Sequence, residues 1–243
     1  MQRAPDPSRA TAPVRAVVLD IEGTTGSLDH VQDVLFPYAR ARFATWLAAH
    51  RGTAQWQGIL DEVAAQAGAA HDEAGALALL EGWSDTDGKV APLKTSQGLI
   101  WAGGYASGEL HGHVYADVPP ALEHWKARGV GRFIYSSGSV AAQRDWFGHT
   151  AYGVLCPLLD GYFDLTTAGP KTSPESYDTI ARELGHAPDG LLFVSDLAPE
   201  LDAAAAAGWR TAAVRRADDE HAAVPGHPAV TTLTEPLSGT ERR

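Results

Sequence analysis

One cysteine and only 19 lysines and arginines stand in this chain of 243 residues. The lone Cys156 excludes an intrachain disulfide and a cysteine-built zinc cage; it reads as a small structural residue. Set against 30 acids, the few cations leave a formal charge of −11. That balance gives no electrostatic footprint for nucleic acid or for an anionic membrane surface. A small anionic ligand would need a local island of positive charge. No apolar run approaches the length of a membrane span. The first 13 residues hold Pro5, Pro7 and Pro13 and no apolar segment of the signal-peptide kind. Residues 1–13 and 236–243 are therefore expected to be flexible tails, and the cytoplasm is the expected setting. No repeat of fixed period is visible. What is present is ordinary for a globular protein, 44% hydrophobic and 20% charged, and the chain is long enough to bury a sizeable core.

The most informative stretch is residues 14–25. A nearly continuous apolar run, Val14 to Leu19, reads as a strand buried on both faces. It ends in Asp20 and Glu22, whose spacing of two sends both side chains to the same side of an extended chain. Gly23 then permits a turn, and Thr24 and Thr25 follow. From His30 the period changes to that of helices. Val31, Val34, Leu35 and Tyr38 share one face, and Phe43, Trp46 and Leu47 extend it past Pro37. Thr53 is the expected N-cap of a helix faced by Trp56, Ile59, Leu60 and Val63, and residues 74–83 give another. No strand pattern occurs between 28 and 112, so a helical block is inserted after the first strand.

Beyond Tyr115 strands and helices alternate. Strands are expected at 131–137, 162–167, 191–196, 211–214 and 229–233. Ser173 and Pro174 are expected to cap and open the helix that Gly185 ends. This rhythm predicts an α/β fold, a doubly wound and mainly parallel Rossmann-like sheet. The expected domains are a core of 14–27 with 113–235 and a helical insertion of 28–112.

Four polar clusters fall where strands end: Asp20/Glu22, Ser136/Ser137, Lys171 and Ser195/Asp196. In a doubly wound sheet those ends share one edge. Asp20 and Asp196 offer hard carboxylate oxygens suited to Mg²⁺, and Lys171 offers a compact positive charge for phosphate. Ser136 and Ser137 offer hydroxyls, and Gly138-Ser139 is expected to offer free N–H groups at a helix start. With these parts Asp20 could attack phosphorus in line, and Glu22 could protonate the leaving oxygen and then activate water.

The order Asp-x-Glu-Gly-Thr, Tyr-Ser-Ser-Gly, a lone lysine and Ser-Asp resembles the haloacid-dehalogenase-like phosphatases. Longer stretches resemble one family within them, the bifunctional enolase-phosphatases (acireductone synthases) of methionine salvage. They are Leu19-Asp20-Ile21-Glu22-Gly23-Thr24-Thr25, Asp33-Val34-Leu35-Phe36-Pro37-Tyr38-Ala39, Gln97-Gly98-Leu99-Ile100-Trp101 and Ser107-Gly108-Glu109-Leu110-His111-Gly112-His113. Further matches are Ile134-Tyr135-Ser136-Ser137-Gly138-Ser139, Gly161-Tyr162-Phe163-Asp164, Gly169-Pro170-Lys171 with Ser176-Tyr177, and Ser195-Asp196 with Glu200-Leu201-Asp202. The resemblance spans about residues 14–216.

It implies that Asp20 is the nucleophile, that Glu22 is acid and base, and that Asp20, Glu22 (through its backbone carbonyl) and Asp196 hold one Mg²⁺ per chain. Ser136, Ser137, Gly138 and Lys171 would bind the phosphate, and the helical insertion would be a cap. Lys94, Glu109, His111 and His113 are cap candidates for substrate contact or enolisation. The substrate it implies is a small-molecule phosphate ester, 5-methylthio-2,3-dioxopentyl phosphate, which is enolised and then dephosphorylated by a monomeric, cytoplasmic enzyme. Asp29-His30 departs from the family's more usual Ser-Phe, and residues 171–175 are less basic than its usual version. Two other readings are a phosphatase of the same superfamily for another ester and a non-catalytic phospho-aspartate receiver.

Overall fold

The computed structural model describes residues 13–217 and 224–235. Except for Pro13, the expected tails at 1–13 and 236–243 lie outside the described residues. The chain divides into two compact units: one reaches Ser27 and resumes at Gly112, and the other is Leu28–His111.

Strand β1 (Ala16–Leu19) has every residue at 0% exposure, as its unbroken apolar run requires. The helical unit follows. Its α1 (Leu28–His30), a π-helical turn over Val31–Leu35 and α2 (Phe36–Arg40) run on without interruption. Pro37, with no N–H to lose, lies in the first turn of α2 where the hydrogen-bond register changes. Next come α3 (Phe43–His50), α4 (Ala54–Ala67), α5 (Glu73–Asp85) and α6 (Ala91–Ser107). Thr53 caps α4 as expected, its hydroxyl accepting from Trp56 N at 3.2 Å. Asp72 does the same for α5 through Gly75 N at 2.8 Å. The apolar faces of these helices meet in a core of Phe43, Leu47, Ile59, Val63, Leu80, Leu93 and Ile100.

The sheet unit resumes with α7 (Val118–Ala127), β2 (Gly131–Tyr135), α8 (Val140–Gly148), β3 (Gly161–Phe163), α9 (Pro174–Leu184), β4 (Leu191–Ser195), α10 (Ala198–Ala206), β5 (Arg210–Val214) and β6 (Ala229–Val230). The six strands are all parallel, in the order β3-β2-β1-β4-β5-β6. Helices α7 and α8 pack near β2 and β3, while α9 and α10 pack together and α10 lies on β4 and β5. One face of the sheet is filled by Val18, Tyr135, Phe163, Tyr177, Ile180, Phe193, Leu201 and Trp209. This is the doubly wound α/β sheet that the alternating pattern predicts. The strand order reverses at β1, which makes the carboxyl ends of β1, β2 and β4 a crevice for ligands.

Two local expectations are corrected and a third is refined. The strand expected at 162–167 stops at Phe163, because Asp164 turns the chain by accepting from Thr166 N and Thr167 N at 3.0 and 2.9 Å. The strand expected at 229–233 covers only Ala229–Val230. Ser173 holds the N-cap position of α9 with Pro174 after it, as expected, but its hydroxyl goes to the Glu175 carboxylate and bonds no backbone N–H.

Gly112 marks the tightest approach on the return path. A β-carbon there would stand 2.2 Å from Trp146 O, and backbone cannot yield as a side-chain tip can. Gly112→Ala is expected to destabilise the protein by about 1–3 kcal/mol, measured as a fall in the urea midpoint with an unchanged slope.

Candidate active site

Asp20 ends β1 with its main-chain N–H on Val194 O at 3.0 Å, so β4 fixes its position. Its carboxylate is 3% exposed. Lys171 comes from the loop between β3 and α9, after its strand as expected, and it is buried. The Lys171 ammonium lies 2.5 Å from Asp20 Oδ1 and 2.8 Å from Glu200 Oε2. Glu200 in turn accepts from Ser195 Oγ at 2.9 Å. Burial works against the charged form of Lys171, but the Asp20 and Glu200 carboxylates outweigh it and its pKa is raised. Glu200 is also raised, first by burial and then by the Asp20 charge, with Lys171 opposing both.

The turn after Asp20 is held in several ways. Thr24, Thr25 and Gly26 N–H groups all donate to Ile21 O, at 3.1, 2.9 and 2.8 Å, and Thr25 Oγ1 donates to Asp20 O at 2.9 Å. Gly23 has φ +70°, a conformation that favours glycine, and a β-carbon there would stand 2.4 Å from Asp196 Oδ2. The Asp196 carboxylate therefore lies directly over the backbone that follows Glu22. Arg216, at 6% exposure, donates to Thr24 O from Nε at 2.8 Å and from Nη2 at 2.5 Å. Its Nη1 meets both Asp117 oxygens at 2.8 and 2.9 Å, and its guanidinium stacks 4.2 Å from the centroid of the Tyr115 ring.

The loop after β2 presents Ser136 buried and Ser137 exposed. The Gly138 N–H is not free, contrary to expectation, and neither are two N–H groups at the start of α8. Gly138 N donates to Ser136 Oγ at 3.1 Å, Val140 N to Asp164 Oδ2 at 3.1 Å and Ala142 N to the capping Ser139 Oγ at 3.2 Å. Gln143 Nε2 grips the loop from below through Gly138 O and Phe163 O, both at 2.8 Å.

Lys94 and Glu109 belong to the helical unit. Lys94 is exposed on α6, and the Glu109 carboxylate accepts from Tyr38 Oη at 3.0 Å and Arg42 Nη2 at 2.9 Å. His111 is exposed and its carbonyl meets His30 Nε2 at 2.9 Å. In the sheet unit, His113 Nδ1 accepts from Ser27 N at 3.0 Å.

Sequence reasoning passed over Glu200 and Arg216 as site residues. The buried stripe of α10 is Glu200, Leu201, Ala203 and Ala204, so an acid among core positions was the available signal for the first. Arg216 carried none, since it follows β5 in a short basic run.

Among the described residues no three His, Cys, Asp or Glu side chains gather as a metal cage. The donors at the ends of β1 and β4 still suit Mg²⁺, which takes one or two carboxylates and keeps several waters. Asp20 and Asp196 are hard oxygen donors, and the Asp196 carboxylate lies against the main chain at Gly23. Three buried acids, Asp20, Asp196 and Glu200, answer to one buried lysine. A divalent cation would correct that excess.

A family model described as haloacid dehalogenase-like hydrolase matches residues 14–208. Enolase-phosphatase E1 of Frankia alni is 48% identical over 219 residues, covering 90% of this chain and 93% of that protein. Enolase-phosphatase E1 of Streptomyces avermitilis is 50% identical over 206 residues, covering 84% and 85%. Among solved structures, the UTR4 protein of Saccharomyces cerevisiae aligns with a TM-score of 0.77 at 30% identity, over 92% of this chain and all of that one. CbbY of Rhodobacter sphaeroides, at 16% identity and TM-score 0.59 over 91% and 96%, shares the fold.

Removing the Lys171 ammonium leaves Asp20 and Glu200 buried without their shared partner. Lys171→Met is expected to cost about 3–5 kcal/mol of stability at neutral pH. Glu200, raised in the folded state and in the variant no longer opposed by Lys171, binds its proton there first, so the variant's stability rises as pH falls through the folded value. The deficit against wild type should shrink between pH 7 and pH 5 in denaturant titrations; a constant deficit would contradict the shared-cation geometry.

Proposed function

The chain belongs to the enolase-phosphatase E1 family of haloacid dehalogenase-like hydrolases, and from that premise we propose that it converts 5-methylthio-2,3-dioxopentyl phosphate to an acireductone and inorganic phosphate in methionine salvage. The observation that carries the phosphatase half is the 2.5 Å contact of the Lys171 ammonium with Asp20 in a buried crevice.

Asp20 Oδ attacks phosphorus, forming an aspartyl phosphate as the P–O bond to the leaving enol breaks. Glu22, half-exposed two residues on, gives its proton to that departing oxygen. It then takes one from the water that cleaves the acyl phosphate, which restores Asp20 and releases phosphate. Lys171 offsets charge as it builds on the phosphoryl oxygens. Ser136, Ser137 and the Gly138 N–H bind those oxygens, Gly138 by exchanging its bond to Ser136 for one to the anion. Asp20, Asp196 and the Glu22 carbonyl would hold one Mg²⁺, which supplies Lewis-acid stabilisation to the phosphoryl group and to an enediolate. The helical unit serves as the cap, with Lys94 and Glu109 as substrate contacts; Glu109 retains lone pairs beyond those used by Tyr38 and Arg42. A monomer in the cytoplasm is the proposed working form, in keeping with a chain that can form no internal disulfide.

Asp20→Asn is expected to lower phosphate release on the order of 10⁴-fold. The enol should still form, since enolisation needs no nucleophile at phosphorus. Following the diketone and enol absorbances beside free phosphate separates the steps, and equal loss of both would contradict this division of labour. Chelation with EDTA should abolish phosphate release from the wild type, and added Mg²⁺ should restore it; full activity in chelator would remove the metal from the reading.

A further inference from the structure

The pair Ser176-Tyr177 is one of the marked stretches of the sequence, and no step of the proposed reaction uses either residue. Both act on the loop that carries Lys171. Residues 169–171 lie outside the sheet, so their carbonyls have no ladder partners and must find others. Each of the three accepts a side-chain hydroxyl. Tyr135 Oη donates to Gly169 O at 2.7 Å, Ser176 Oγ to Pro170 O at 2.7 Å and Tyr177 Oη to Lys171 O at 2.8 Å. Ser176 and Tyr177 sit in the first turns of α9 and reach back six residues each; Tyr135 ends β2.

These donors are themselves held. Tyr135 and Tyr177 are at 0% exposure. The Tyr177 ring meets Tyr135, Phe193 and Trp209 edge-on, with centroids 5.8, 5.2 and 5.5 Å away. Burial raises the pKa of both phenols, so they stay protonated donors across the working pH range. Gly169, at φ +105°, brings its backbone so near Ser176 that a β-carbon would stand 2.7 Å from Ser176 Oγ. A lysine stem has four rotatable carbons, so the place of its ammonium depends on where its main chain is pinned. Here the core pins it through the Lys171 carbonyl itself.

We infer that Tyr177, aided by Tyr135 and Ser176, is a positioning residue for Lys171, placing its ammonium against Asp20 where a phosphoryl group reacts. Without the Tyr177 hydroxyl the Lys171 main chain gains freedom, and the ammonium shifts its share from Asp20 toward Glu200. The inference takes the identity of the reacting anion from the proposed phosphatase reading.

Tyr177→Phe keeps the ring and deletes only the hydroxyl. The test follows hydrolysis of p-nitrophenyl phosphate by Mg²⁺-supplied enzyme, and measures orthovanadate and inorganic phosphate affinity by calorimetry. The expected result is a kcat about tenfold lower, as small misplacements cost, with KM within about twofold. Vanadate, which imitates the five-coordinate phosphorus, should weaken by a similar factor, and phosphate should weaken less. Ser176→Ala, with a loss of about threefold on the same readings, serves as the second variant if Tyr177→Phe does not fold. A variant with lowered Tm but wild-type kcat, KM and vanadate affinity would reduce Tyr177 to a structural role and overturn the inference. Wild-type enzyme that neither binds vanadate nor releases phosphate would instead overturn the phosphatase reading, and the inference with it.

Discussion

One ammonium shared by two buried carboxylates governs the crevice. Lys171 lies within 2.8 Å of both Asp20 and Glu200, and neither acid could be kept from water alone without a large desolvation cost. Because the three charges come from β1, α10 and the loop before α9, this contact ties parts of the chain about 150 residues or more apart from Asp20 to one point. In the proposed reaction it would also set the chemistry. A carboxylate pinned by an adjacent cation keeps its attacking oxygen oriented, and the same cation can follow negative charge onto a phosphoryl group. In the proposed reaction Glu200 would hold the ammonium while Asp20 is engaged at phosphorus, so that Lys171 could stay charged and buried.

A second buried cation, Arg216, performs the corresponding task for the backbone. Its guanidinium binds the Thr24 carbonyl twice and closes on Asp117 in a two-oxygen pairing. Asp117 also accepts from Leu233 N at 2.6 Å. The turn that carries Glu22 and Gly23 is thereby fixed to the segment entering α7 and to the chain after β6. A planar guanidinium suits this role better than an ammonium would, since Nε and Nη2 converge on one carbonyl while Nη1 reaches Asp117, which sets orientation as well as charge. Lysine stands where charge must be movable and arginine where backbone must not move.

Much of this was legible in the sequence. Continuous apolar runs in 14–19 and 191–195 marked the central strands, because a parallel sheet covered on both faces leaves no polar alternation. Polar residues following such runs marked Asp20, Ser136 and Asp196, because strand ends share an edge. What escaped was whatever depended on three-dimensional neighbours. Glu200 stands beside Leu201 and a run of alanines, and nothing in that linear pattern shows its carboxylate meeting Lys171. Ser173 had the composition of a cap, yet Glu175 two residues away drew its hydroxyl off. Residues 162–167 had strand composition, but Asp164 folded them into a turn through local bonds that a period-two pattern does not record.

The loop after β2 shows why the missed bonds matter to function. An anion site at a helix start is commonly pictured as a set of unpaired N–H groups. Here Gly138, Val140 and Ala142 each donate to a side-chain oxygen, from Ser136, Asp164 and Ser139 respectively. A phosphoryl oxygen approaching Gly138 must therefore replace the Ser136 hydroxyl, and a neutral oxygen would gain little from the exchange. A charged oxygen gains more, because hydrogen bonds to ionised acceptors are about twice as strong as neutral ones. The Ser136 hydroxyl keeps its own hydrogen throughout, since accepting from Gly138 uses only a lone pair, and that hydrogen could be donated to the same anion. In the proposed reaction the Gly138 N–H would thus favour a charged oxygen over a neutral one, while Gln143 and Asp164 hold the two ends of the loop.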